Sequence, residues 1–107
     1  MKNTKNLSPA HIISDRQKSI EAANTLIVAL RNPLRQKILK LILAKPNMPV
    51  NEIIHKTQGE QSIISQHLGI LRQAELVTFI RKGKSIMYSA NLRRLKVVLN
   101  RIDGLIA

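Results

Sequence analysis

Prolines at 33, 46 and 49 and a glycine at 59 cut the middle of this chain into short runs, and within each run the apolar residues recur at helical spacing. Pro33 follows Asn32, an amide suited to capping, and its missing N–H costs nothing at the first position of a helix. The helix so opened carries Leu34, Ile38, Leu41 and Ile42 on one face, widened by Leu39 and Leu43. Arg35, Lys37 and Lys40 supply charge, and Pro46 ends it. After the loop between Pro46 and Pro49, the run Val50-Asn51-Glu52-Ile53-Ile54 opens a third helix that Gly59 closes. A fourth runs from about Gln61 to Ala74 and buries Ile64, Leu68 and Leu71 at offsets 0, 4 and 7, leaving its opposite side polar. Upstream, Ser14 with Gln17 three residues on has the form of a capping box. Ile20, Ala23, Ile27 and Leu30 follow at offsets 0, 3, 7 and 10, a first helix with one apolar seam. Residues 1–14, polar and broken by Pro9, are expected to form a flexible N-terminal arm ahead of a single domain over 15–107.

Past Ala74 the period changes. Val77 to Arg81 and Ile86 to Ala90 are rich in β-branched and aromatic residues, and Lys82-Gly83-Lys84-Ser85 between them suits a hairpin turn, so a two-stranded wing is expected. From Leu92 a fifth helix places Leu92, Leu95, Leu99, Ile102 and Ile106 at offsets 0, 3, 7, 10 and 14. A lone small domain has little with which to cover such a seam. Burying those five side chains at about 1.5 to 3 kcal/mol each favours a second subunit, and the expected homodimer pairs through the first and last helices. The dimer-interface candidates are Ile20, Ala23, Ile27, Leu92, Leu95, Leu99, Ile102 and Ile106.

Charge narrows the partner. Eighteen Lys and Arg against six Asp and Glu give a formal net charge of +12, which calls for a polyanion. The basic residues are spread along the chain without a strongly amphipathic basic helix, which favours nucleic acid over a membrane surface. No apolar run is long enough to span a bilayer and no signal-peptide core is present, so a cytoplasmic protein is expected. With no cysteine, disulfides, thiolate metal sites and thiol redox sensing are excluded. The absence of paired carboxylates, a phosphate-cradling glycine loop or a nucleophile elbow argues against an enzyme, and no cofactor is expected.

Three segments in register resemble the ArsR-type winged helix-turn-helix repressors over roughly residues 15–106. Ala29 to Leu39 resembles the family's helix junction, in which an acid or amide precedes Pro and an Arg follows two residues later. Ser62 to Arg72 resembles its recognition helix through Ser65-Gln66-His67-Leu68 and Leu71, and Arg81-Lys82-Gly83-Lys84 with Tyr88 resembles its wing. The resemblance implies a mainly α fold of five helices with a two-stranded β-wing. It also implies a sequence-specific regulator, a dimeric repressor binding double-stranded DNA at an inverted-repeat operator.

Two positions depart from the pattern: Glu75 stands where the family has Gly and Glu60 where it has Ser or a similar cap, so either Glu75 adopts a left-handed conformation at some cost or the turn differs slightly. The metal site also departs. Pro49, Asn51 and Ile54 occupy the positions of the cysteines in metal-sensing relatives, the last helix offers Asp103 without a His, and His11, His55 and His67 match no ligand spacing. No metal site is expected, and any effector is an unidentified small molecule or protein.

Within this frame Gln61, Ser62, Ile63, Ser65 and Gln66 are the candidates to face the major groove. Gln66 suits a bidentate bond to adenine and Ile63 a thymine methyl. His67 is read either as a backbone or phosphate contact or as a structural residue beside Leu68. Arg72, Arg81, Lys82 and Lys84 are assigned to phosphate or the minor groove, with Gly83 permitting the turn that presents them, and Tyr88 to the core. The main rival is a nucleoid-type architectural protein with little sequence choice, which the charge favours and the Gln and Ser face disfavours. A protein-interaction module that kept the fold and lost DNA is disfavoured by the wing cations.

Overall fold

Asn32 separates the first two helices. The computed structural model describes the backbone of residues 9–97 and the side chains of 17, 18 and 20–97. Helix α1 spans Pro9–Arg31 and α2 spans Pro33–Ala44. The Asn32 side-chain oxygen accepts from the backbone N–H groups of Leu34 (2.9 Å) and Arg35 (3.1 Å), so the amide before Pro33 caps α2 as the sequence indicates. The described part of α1 begins at Pro9, so Ser14, read as part of a capping box, lies inside the helix. Residues 9–14 of the expected arm are helical. Residues 1–8 of that expected arm lie outside the described residues.

Three further helices and a small sheet complete the described chain: strand β1 at Met48–Pro49, α3 at Val50–Thr57, α4 at Gln61–Gln73, β2 at Val77–Lys82, β3 at Ser85–Ala90, and α5, helical over 92–97. The wing is a strict antiparallel hairpin, Val77 opposite Ala90 through Lys82 opposite Ser85. Only Gly83 and Lys84 form its turn, and Gly83 has a φ of 59°, as a two-residue turn of this kind requires of its first residue. The sheet has one strand more than expected. Met48 pairs with Tyr88 and Pro49 with Met87, giving the order β1-β3-β2. The short run between Pro46 and α3 is therefore a sheet edge, where proline is tolerated.

The core is aliphatic: Ile38, Ile42, Met48, Ile53, Ile64, Leu68, Leu71 and Leu76 are almost wholly buried. Leu39 joins them, and Leu34 and Leu41 pack against them in part. Leu43 does not widen that face. It lies about 100° round the helix from Ile42 and is 45% exposed.

Both helices of the helix-turn-helix end on a left-handed residue that is not glycine. At the end of α3 this residue is Gln58 (φ 55°), whose N–H bonds to the His55 carbonyl while the Gly59 N–H reaches Ile54. Gly59 follows the left-handed position instead of occupying it. Its hydrogen side chain is needed for space, because a Cβ there would stand 2.8 Å from Cδ1 of the buried Ile64. At the end of α4 the left-handed residue is Glu75 (φ 61°), the first of the two alternatives that the departure from the family pattern leaves. Its N–H bonds to Arg72 and that of Leu76 to Leu71, a complete Schellman closure without its usual glycine. Glu75→Gly is therefore expected to raise stability by about 0.5 to 1 kcal/mol, and Gly59→Ala to lower it by about 1 to 3 kcal/mol through the displaced Ile64. Urea unfolding of the two variants measures both.

Candidate nucleic-acid interface

The surface of α4 divides as the offsets require. Ile64, Leu68 and Leu71 are sealed in the core, while Gln61, Ser62, Ile63, Ser65 and Gln66 are exposed. Ile63 is 41% exposed, an uncovered apolar side chain between polar neighbours. No side chain caps α4: Glu60, at the N-cap, makes no capping bond. Arg81, Lys82 and Lys84 are exposed at the hairpin tip, and Lys84 and Ser85 border the same cleft as Gln61 and Ser65. The turn thus lies alongside the N-terminal half of α4, bringing neutral hydrogen-bonding groups and cations to one surface. Arg72 is not at that tip. Its guanidinium carbon lies 5.0 Å from the centre of the Phe79 ring, at the root of β2, so its charge is anchored on an aromatic face.

His67 is set apart from the exposed set. It is half-buried, and its Nδ1 lies 3.1 Å from Nη1 of Arg35. Arg35 is itself buried and fixed on the end of α1, donating from Nε to the Ala29 carbonyl at 2.9 Å and from Nη2 to the Val28 carbonyl at 2.7 Å. A guanidinium has only donors, so the facing Nδ1 accepts and the His67 proton sits on Nε2. The sequence pattern read Arg35 with Lys37 and Lys40 as a supplier of charge; an Arg in the first turn of a helix, six and seven residues from the carbonyls that it holds, leaves no periodic signal.

The described dimer candidates fall on two kinds of ground. Ile20 (60% exposed), Ile27 (58%), Leu92 (68%) and Ala23 are uncovered, whereas Leu95 packs in part against the core of its own chain. Leu99, Ile102 and Ile106 lie outside the described residues.

Residues 32–78, from the Asn32 cap through the start of the wing, match the family model described as bacterial regulatory protein, arsR family. The transcriptional repressor SdpR of Bacillus subtilis is 38% identical over 77 residues, covering 72% of this chain and 84% of that protein. The chain belongs to the ArsR family. The nodulation protein NolR of Rhizobium meliloti is 32% identical over 91 residues, covering 85% and 74% of the two chains. The solved structure of NolR from Sinorhizobium fredii superposes with a TM-score of 0.69 at 30% identity, covering 92% of this chain and 93% of the other. The family is one of DNA-binding transcription regulators with a winged helix fold, which places the chain outside the enzymes.

In this ArsR-family chain, Pro49 caps α3, Asn51 is exposed and Ile54 packs against the core. Among the described residues no three His, Asp or Glu side chains gather as metal ligands, and no helix is long and apolar enough to cross a membrane.

Burial, and then the Arg35 charge, hold the His67 pKa below the ordinary histidine value. A histidine kept neutral by folding contributes stability that is complete above its unfolded pKa of about 6.5. That contribution is lost as pH falls through the lowered folded value. Urea unfolding between about pH 7.5 and 5 is expected to show the parent losing stability with acid. His67→Gln, whose amide oxygen accepts without titrating, is expected to lose less over the same range.

Proposed function

We propose that the protein is a dimeric repressor that occupies an inverted-repeat operator. The observation that carries this reading is the exposed Gln61, Ser62, Ile63, Ser65 and Gln66 set, which the protein's own core does not use, beside a cationic hairpin tip. Gln and Ser read bases without needing a charge, while Arg81, Lys82 and Lys84 grip phosphate and fix orientation. Arg72, stacked on Phe79, offers its remaining donors to the backbone at the far end of α4. His67 serves this surface by positioning α4 on Arg35 and is no longer needed as a direct contact.

The uncovered Ile20 and Ile27 on α1 and Leu92 at the start of α5 support pairing through the first and last helices, with the rest of the α5 seam. A two-fold pair presents two copies of α4 to half-sites about 34 Å apart, roughly one helical turn. Regulation follows from that spacing, since an effector favouring a different separation releases the operator. The absence of cysteine and the occupants of positions 49, 51 and 54 support an effector other than a thiolate-bound metal, a small apolar molecule or a protein. The protein acts in the cytoplasm, where its DNA is.

The net charge of +12 favours a second reading, an architectural protein that coats DNA. Footprinting with competitor DNA separates the two: a repressor protects one palindrome with a preference of about a thousandfold or more over random duplex, and an architectural protein protects uniformly. Gln66→Ala is expected to relax base preference at one position per half-site by about 1 to 3 kcal/mol, whereas Lys84→Ala is expected to weaken all duplexes alike and reduce the salt slope by about one unit. Ile27→Asp is expected to yield monomers in sedimentation and to abolish operator binding at concentrations where the parent is bound.

A further inference from the structure

Tyr88 is the only tyrosine in a chain without tryptophan, and it is 7% exposed. Its ring packs in the core with its centre 5.9 Å from that of Phe79, a place that phenylalanine would fill equally well. A buried phenol ordinarily finds a hydrogen-bond partner. Among the described residues the Tyr88 hydroxyl has none, yet it is not one of the polar atoms sealed from solvent without a partner, of which Arg94 Nε is the one found. The hydroxyl is therefore within reach of solvent, and Tyr88 lines a cleft.

That cleft, of about 260 Å³, lies between the N-terminus of α3, the first half of α4 and the hairpin turn. Its chemistry has one sign. Lys84 borders it, Gln61 and Ser65 add neutral donors, and no carboxylate is among its lining residues. Val50 and Asn51, the first residues of α3, also line it, and no side chain satisfies the opening amides of that helix because its N-cap is Pro49. The acid of the same turn, Glu52, is drawn off by Lys45 at 2.9 Å and Lys56 at 3.0 Å.

We propose that this cleft seats one backbone phosphate of the bound duplex, with the Tyr88 hydroxyl donating to a non-bridging oxygen and Lys84 balancing the charge. The assignment rests on the DNA-binding reading and deepens it. A phosphate held between α3, α4 and the turn fixes the depth and register at which Gln66 meets the bases. Tyr88 is then a phosphate ligand in addition to a core residue.

Tyr88→Phe deletes the hydroxyl and keeps the ring. Its affinity for palindromic and random duplex alike is expected to fall on the order of tenfold, with an unchanged thermal midpoint. The slope of log affinity against log salt is expected to stay at the parent value, because a neutral hydroxyl displaces no counterion. Equal binding by parent and variant overturns the cleft alone, while a parent that binds no duplex overturns the DNA reading with it. Methylphosphonate scanning of the footprinted duplex provides a measure independent of variant stability. One neutralised phosphate per half-site is expected to weaken the parent more than it weakens Tyr88→Phe, in which Lys84 alone still meets that phosphate, and identical penalties for both proteins at every phosphate overturn the proposal. Inorganic phosphate titrated against the emission of this lone tyrosine tests a free anion. Saturation at low millimolar phosphate, together with parental duplex binding by Tyr88→Phe, assigns the cleft to a free anion and overturns it too.

Discussion

Arg35 holds three helices together. Its guanidinium closes on the last carbonyls of α1, where the helix dipole is negative and intrahelical donors run out, while its backbone sits in the first turn of α2. Its remaining edge meets His67 on α4. Gln36, the next residue, bonds through its side-chain amide to the Leu30 carbonyl at 2.6 Å, so adjacent residues of α2 occupy adjacent carbonyls of α1. A buried cation without a carboxylate is tolerated because each of its three nitrogens meets a neutral acceptor. Such a group specifies geometry more than it adds stability, since any rotation of α4 against α1 leaves a charged donor unmatched.

Periodicity and punctuation carry most of the fold. Asn32-Pro33 announces the start of α2 to the residue, the apolar offsets of α4 sort its buried and exposed faces, and the β-branched runs around Gly83 mark the hairpin. These features are local, set by residues within a turn or two of one another. The misses share the opposite property. Strand β1 exists because Met48 and Pro49 meet Tyr88 and Met87 far along the chain, and a two-residue strand has no period to read. Gly59 is a helix terminator in sequence and a clearance for Ile64 in space. The inward-facing His67 required Arg35 to be placed first. For the interface, residue types identified the exposed members of α4 and the tip cations, and could not reveal that Phe79 holds Arg72 at the opposite end.

Within the proposed DNA-facing surface, neutral and charged tasks are separated. Amides, hydroxyls and one apolar side chain stand on a helix, while Lys84 stands on a two-residue turn and Arg81 and Lys82 on the strand end that is paired beside it. Long-range attraction from a net charge of +12 is indifferent to sequence. In the proposed repressor, discrimination comes from the few exposed side chains of α4, which the buried Ile64, Leu68 and Leu71 hold on the core.

Asn91 has a broader effect than its place at the foot of α5 suggests. Its side-chain oxygen accepts from the Arg94 N–H at 3.2 Å, its amide nitrogen donates to the Glu75 carbonyl at 2.9 Å, and its backbone N–H donates to Leu76 at 2.9 Å. One residue is thus the hinge pin between α5 and the closure of α4. In the proposed dimer, a tilt of α5 is carried through these bonds to the C-terminal end of α4, like torque through a short crank.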